Sequence, residues 1–291
     1  RQIEETLTIG AAGTTFAVTS DWVAENQRTS LHYPNNREVV TTFDALDRPQ
    51  TIADAGAPTV IADYDYIGTG RVLVRNSPQN GVRRTYLNDA GTADTGYDGL
   101  GRSVQLRHLR DDNSLVVGFE HTYDRDNNKL SETKLHAPGD SELYAYDSAD
   151  RLISFERGTL NATFDAIVTP SPHTPLQSSW SFDGVGNWNS VDGETREHTN
   201  FNEIATRDDG QGTVTTLDND DNGNQTDSGE FTFEWDAFNR LRRVTRNSDG
   251  LEVALYTYDA GNRRLRKIVT NSGTLNGTTD YLYDGWRVIE E

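Results

Sequence analysis

The sequence predicts an all-β fold of antiparallel β-hairpins, repeated along the chain and joined into a curled sheet or spiral shell segment. Three observations predict it. An aromatic–aspartate pair recurs along the chain, followed three residues later by Gly, Asn or Asp. The residues after each such turn alternate apolar and polar, the period of a strand with one covered face. Finally, 25 glycines and a hydrophobic content of only 34% in 291 residues favour many short strands over helices.

Taken in order, residues 1–40 lack the aromatic–Asp pair but alternate (TLTIGAAGTTFAVTSDW), and read as leading strands of the same sheet. Residues 41–157 form a first repeat part, with clear copies at Phe43-Asp44, Tyr97-Asp98, Tyr123-Asp124 and Tyr146-Asp147. Residues 181–291 form a second, with copies at Phe182-Asp183, Trp235-Asp236 and Tyr258-Asp259 and a shortened one at Tyr283-Asp284. Degenerate copies fill the gaps: Tyr64-Asp65 with an extra residue before Gly70-Arg71, Phe201-Asn202 with Asn for Asp, and Asn219-Asp220 with Asn for the aromatic. Starts lie 16 to 36 residues apart, which fits strands joined by loops of varying length. Residues 158–180 are the longest gap; Pro170, Pro172 and Pro175 make part of it extended, so it reads as an insertion or hinge. No helix is predicted, and Ala53–Pro58 is broken by its own Gly and Pro.

Each copy has a direct physical reading. A strand arrives with its aromatic on the covered face, and the Asp ends it by accepting backbone N–H bonds two residues on. Gly or Asn at the fifth position takes the positive φ that such a turn needs. The return strand follows, as in Arg151-Leu152-Ile153-Ser154-Phe155. A lone hairpin is marginal in water, so neighbouring copies must pair edge to edge.

Charge and composition narrow the function classes. With 27 Lys+Arg against 46 Asp+Glu, the formal charge is −19, which repels phosphate backbones and anionic lipid. Nucleic acid is therefore not expected as a partner; cationic proteins or divalent cations suit better. No apolar run reaches the roughly 18 residues of a membrane helix, so membrane insertion is not expected either. With no cysteine, disulfides, thiolate metal sites and cysteine nucleophiles are excluded. The absence of Met, even at position 1, reads as a processed or truncated start and the chain as a fragment.

On the ordered copies FDALDRPQTI, YDGLGRSVQL, YDRDNNKLSE, YDSADRLISF, FDGVGNWNSV, WDAFNRLRRV and YDAGNRRLRK, closed by YDGWRVIEE, residues 40–291 resemble the YD-repeat region of Rhs proteins. Wall-associated proteins, insecticidal toxin-complex shells and teneurins are related. The resemblance implies a β-sheet strip spiralling into a hollow shell that encloses a C-terminal toxin during export. It implies as partners the rest of a parent polypeptide, with an Rhs core and a variable C-terminal domain. The Asp-containing self-cleavage motif of the Rhs core, the plug and the toxin domain are not found before Glu291.

Candidate sites have bland and sharp readings. Asp44, Asp98, Asp124, Asp147, Asp183, Asp236, Asp259 and Asp284 read as turn caps: glycosidase chemistry needs one carboxylate pair about 5–10 Å apart, not a row. Asp218, Asp220 and Asn222, in Asp218-Asn219-Asp220-Asp221-Asn222-Gly223, match the first half of a calcium loop, although position twelve is Gly229 and Glu230 comes one residue late. The alternative is a hairpin tip. His32, His108, His121, His136, His173 and His198 lack HxxxH-type spacing and read as surface or hairpin residues. Asn161, Asn224 and Asn276 head glycosylation sequons, read as idle in a bacterial protein. The repeat aromatics read as cross-strand packing, with sugar stacking as the alternative. The expected function is a non-enzymatic shell segment of a secreted or cell-surface protein presenting a toxin-like domain. The alternative is an extracellular adhesin or fibre subunit that binds carbohydrate or other cells, or itself, assisted by calcium.

Overall fold

A computed structural model describes residues 4–9, 14–24, 26–57, 59–88, 91 and 93–291. Of the expected leading strands, residues 1–3 and 10–13 lie outside these, as does Pro58. The chain divides into two compact units, one containing residues 17–178 and the other residues 179–291, with part of the N-terminal stretch assigned to each.

The first unit holds strands β1 (Glu4–Ile9) and β2 (Thr14–Trp22) in part, and β3 (Arg28–His32), β4 (Glu38–Phe43), β5 (Pro49–Asp54), β6 (Thr59–Ile67) and β7 (Arg71–Ser77). It continues through β8 (Val82–Thr85), β9 (Gln105–Arg110), β10 (Leu115–Tyr123), β11 (Lys129–Lys134), β12 (Ser141–Tyr146), β13 (Leu152–Leu160) and β14 (Ile167–Pro170). From β2 to β14 every strand pairs antiparallel with the next in sequence. The proline-containing segment 158–180 takes part: β14 pairs with β13, and Arg157 N–H donates to Leu176 O at 2.7 Å.

The second unit follows the same rule in three runs. The first comprises β15 (Gln177–Phe182), β16 (Trp188–Val191), β17 (Glu194–His198), β18 (Ile204–Asp208) and β19 (Val214–Thr216). The second comprises β20 (Asp218–Asn219), β21 (Gln225–Asp227), β22 (Phe231–Trp235), β23 (Leu241–Arg246), β24 (Glu252–Tyr258), β25 (Arg264–Val269) and β26 (Gly277–Asp280). The third is the hairpin β27 (Leu282–Asp284) and β28 (Arg287–Glu290). Among the described residues there is no α-helix, only the single 3-10 turns Pro78–Asn80, Pro138–Asp140 and Gly273–Leu275.

Little side-chain volume is fully buried. In the first unit Val18, Leu31, Ala62 and Val74 fall in the buried class, and the most deeply buried polar residues are Ser131 and Ser141, at 1% exposure each. Both serines are satisfied: Ser131 Oγ lies 2.7 Å from Thr122 Oγ1, and Ser141 Oγ donates to Pro138 O at 3.0 Å. In the second unit Val244, Val253 and Ala254 form a cluster backed by Phe231, Phe233, Leu241 and Tyr256. Backbone ladders and turn bonds, more than a thick apolar core, hold the sheets.

Two repeat assignments change. Tyr64 and Asp65 lie mid-strand in β6, opposite Arg75 and Val74; the turn comes two residues later, Ile67 to Arg71, so Tyr66 occupies the repeat aromatic's place. Reading the dipeptide alone missed the bulge between Asp65 and Tyr66, which resets the register. Likewise Phe201-Asn202 is not a strand end. Thr199 opens that turn, its N–H donating to Glu203 O at 2.8 Å, and Phe201 projects from the tip at 84% exposure.

Candidate functional site

The repeated chemistry sits at the hairpin tips. In the first, Asp44 N–H donates to Arg48 O at 2.9 Å and Asp47 N–H to Asp44 O at 3.1 Å. Asp44 Oδ1 accepts the backbone N–H groups of Leu46 and Arg48, at 2.8 and 3.1 Å, and Oδ2 accepts Arg48 Nε at 2.8 Å. Asp47 takes φ 62°, so the tip is a three-residue loop with a left-handed residue and a bulge before the aromatic. The same pattern recurs at Asp98, Asp124, Asp147, Asp183, Asp220, Asp236 and Asp259, with Arg or Asn four residues on closing the second oxygen. Asp284 departs from it: it pairs with Arg287 across a two-residue turn at Gly285-Trp286.

Several of those closing side chains also reach the next tip. Arg102 Nη1 donates to Asp124 O at 2.8 Å, its guanidinium sits 4.8 Å from the Tyr123 ring centroid, and Tyr123 Oη donates back to Ser103 O at 2.8 Å. Arg240 does the same with Asp259 O (2.8 Å) and Tyr258 (4.9 Å), whose hydroxyl donates to Leu241 O at 2.7 Å. Arg48 with Gly68 O and Tyr66, and Arg263 with Gly285 O and Tyr283, repeat the arrangement. Where Asn replaces Arg the link is amide to side chain: Asn128 to Asp150, Asn187 to Asn202, and Asn224 to Asn239. Asp, Arg and the following aromatic therefore form a latch from tip to tip.

Electrostatics follow this geometry. The Arg48 side chain leads in holding the Asp44 carboxyl below the ordinary carboxylate value, and the backbone N–H of Arg102 or Arg151 leads for Asp98 or Asp147. For Asp220 the Asn224 amide leads. At Asp124, Asp183, Asp236 and Asp259 partial desolvation pushes upward, but the accepted hydrogen bonds outweigh it. A carboxylate whose oxygens accept three bonds from its own turn acts as a cap, with three of its roughly four lone-pair sites in use. This applies to the calcium-like loop. Asp220 Oδ1 accepts Asn222 N–H and Asn224 N–H at 2.9 Å each, Oδ2 accepts Asn224 Nδ2 at 2.9 Å, and Asp218 is a strand residue opposite Asp227. An ion there would compete with the bonds that Asp220 accepts from its own turn.

Sequence reasoning passed over several tips. Asp209 is capped like the rest, Oδ1 accepting Gln211 N–H and Thr213 N–H at 2.7 and 3.0 Å. Tyr33 to Arg37 and Val23 to Gln27 form tips from backbone bonds, with Asn36 at φ 65° and Asn26 at φ 66°. Asn at the left-handed position was the signal available for both. A charged network on strands β10–β13 also went unnoticed. His121 and Lys129 bond Glu132, with Lys129 Nζ at 2.8 Å, and Lys134, Arg157 and Tyr144 surround the buried Glu142. The His121 bond, against opposing desolvation and with help from Lys129, takes Glu132 down to about 2.

The other expected residues have local roles. Asn161, Asn224 and Asn276 use their side chains inside their own turns. His108 is pushed down by burial beside Arg84 and Arg75, His173 bonds Asp140, and His136 bonds Gly118. The tip tyrosines are half-buried under arginines, whereas Leu46, Leu100, Val185, Phe201, Phe238 and Trp286 stand exposed at the outermost turn positions.

No family model matches the chain. Over 67 residues, 23% of the chain, it is 42% identical to the tRNA nuclease WapA of Bacillus subtilis (strain 168), and equally to the tRNA(Glu)-specific nuclease WapA of Bacillus subtilis subsp. natto; the match spans only 3% of each of these relatives. In structure, 96% of the chain matches 15% of a chain in the Photorhabdus luminescens Tc holotoxin pore, with TM-score 0.67 and 16% identity. It likewise matches 16% of a chain in the crystal structure of TcdB2-TccC3, with TM-score 0.65 and 15% identity. The fold is therefore the antiparallel Rhs/YD-repeat fold of toxin-complex shell chains.

Proposed function

We propose, from the YD-repeat fold shared with these toxin-complex chains, that this chain is a wall segment of a secreted or cell-surface Rhs-type polypeptide, enclosing or presenting a C-terminal, toxin-like domain. The observation that carries the reading is the tip-to-tip latch. It commits the repeat's Asp, Arg and Tyr to joining successive hairpins, which supports a structural role for the segment. Two further points support it. The matched structures are much longer than this chain, and one related crystal structure is described as TcdB2-TccC3 without its hypervariable C-terminal region. The nuclease named in WapA belongs to proteins of which the match spans 3%.

The test is limited proteolysis of the native full-length polypeptide, with intact-mass and peptide mapping of what is joined to Arg1 and Glu291. Protection of a downstream domain that is lost when the wall is unfolded supports enclosure. A downstream domain cleaved equally fast with the wall intact, or a mature chain ending near Glu291, refutes it. One observation favours an adhesin or fibre as the second reading: Phe201, Phe238 and Trp286 are exposed aromatics at tips, the chemistry of sugar stacking. Glycan binding or polymerisation that is lost on Trp286→Ala and Phe238→Ala would favour it.

A further inference from the structure

Three side chains on neighbouring strands of the first unit converge outside the latch. His32 on β3 pairs directly with Glu38 on β4, and Asp21 on β2 pairs with Ser30, which sets Asp21 diagonally from His32 on the same face. His32 Nε2 lies 3.0 Å from Asp21 Oδ2 and 4.0 Å from Glu38 Oε1, and one donor atom from each residue lies within 4.8 Å of the others. A single imidazole N–H can satisfy the first carboxylate; the second, at 4.0 Å, is beyond hydrogen-bond reach.

We propose that Asp21, His32 and Glu38 form a binding site for a divalent transition-metal ion of the zinc class. Ligands about 2.1 Å from a tetrahedral zinc stand about 3.4 Å apart, and the two observed separations bracket that value, so small rotamer adjustments seat an ion. One imidazole and two carboxylates suit Zn²⁺, Co²⁺ or Ni²⁺ better than Ca²⁺ or Mg²⁺, which prefer oxygen alone. Ser30 Oγ donates to Glu38 Oε1 at 2.9 Å, a supporting bond that orients a ligating carboxylate. The formal charge of −19 raises the local cation concentration. The donors come from three paired strands, so the ion ties β2, β3 and β4 together, while the exposure of Asp21 leaves its outer position open to water.

The full chain titrated with Co²⁺ tests this by visible absorption, followed by displacement with Zn²⁺ and a thermal melt with and without Zn²⁺. The expected result is one ion per chain, a tetrahedral Co²⁺ band that Zn²⁺ abolishes, and a raised melting temperature. His32→Gln and Glu38→Gln each weaken binding roughly tenfold or more, the scale of perturbing a metal's ligand environment, while Asp208→Asn, an acid in the other unit, leaves it unchanged. Asp21→Asn, at the most exposed of the three positions, keeps the test open if His32→Gln unfolds, as judged by circular dichroism. Absence of the band, or binding equal in folded His32→Gln, Asp21→Asn and the parent chain, overturns the proposal and leaves the cluster an ion pair on an acidic surface.

Discussion

Replacing Arg240 with Met keeps the apolar stem and removes the head that joins two tips. The lost contacts are the bond to Asp259 O at 2.8 Å, the longer one to Asn262 Oδ1 at 3.2 Å, and the stack 4.9 Å from the Tyr258 centroid. A hydrogen bond contributes about 1 kcal/mol net and a partly exposed cation–π contact about 0.5–1 kcal/mol. The bond to Asp236 lies within Arg240's own tip and is left out of a count that concerns only the link between tips. The sum is about 2 kcal/mol, or about thirtyfold in a local opening equilibrium. Hydrogen exchange by mass spectrometry reads this directly: peptides covering residues 257–263 should exchange about thirtyfold faster in Arg240→Met, while those from β10 and β11 stay unchanged. Arg240→Lys, which keeps the charge but loses the fork, should fall between. Arg242→Met, at an exposed position two residues on in β23, is the control. If Arg240→Met exchanges no faster than Arg242→Met, the latch contributes no free energy and the extension argument fails.

Other outcomes follow from the same structure. Glu132 has a folded pKa of about 2 against an unfolded value of about 4.3, so its stabilisation is complete above the unfolded value and is lost as pH falls toward 2; Glu132→Gln should flatten acid unfolding of the first unit in that window, followed by tyrosine fluorescence. The lowered tip aspartates add to the loss in the same direction, so acid should loosen tips before strands, visible as early exchange at Leu46 and Leu100. A Cβ on Gly158 would sit 2.3 Å from Thr169 O and 2.6 Å from Ile167 Cγ2, so Gly158→Ala should cost about 1–3 kcal/mol and open β14, read as a new protease site within residues 161–176. Val244→Ala removes two methyls from the second unit's cluster and should cost about 1.5 kcal/mol in urea unfolding, with β2–β14 unaffected.

The turn chemistry was legible in the sequence because it is local: Asp44, Leu46 and Arg48 are neighbours in a single string. Tips built without Asp, such as Tyr33 to Arg37, were hidden because no aromatic–Asp pair opens them, and an Asn at the left-handed position is the mark they carry. Register was the harder matter. The bulge before Tyr66 moves the functional aromatic two residues past the visible Tyr64-Asp65 pair, and a period-2 pattern does not announce an extra residue. The latch partners Arg102 and Tyr123, or Arg240 and Tyr258, are separated by loops of unequal length, so no fixed spacing reveals them. The same holds for Asp21, His32 and Glu38: spacings of eleven and six residues become a cluster only once β2, β3 and β4 are in register.

The nearest-neighbour pairing from β2 to β14, repeated in the runs of the second unit, has a kinetic consequence. Within these runs each strand pairs with the one synthesised just before it, so loop closure is short at these steps and contact order is low for an all-β chain. A hairpin closes in about 1–10 μs, whereas a ribosome adds about 5–20 residues per second. Each new hairpin can therefore settle onto the last long before the following one exists. A chain released progressively from one end would gain ordered sheet as fast as it was delivered, with only its newest edge exposed to aggregation at any moment.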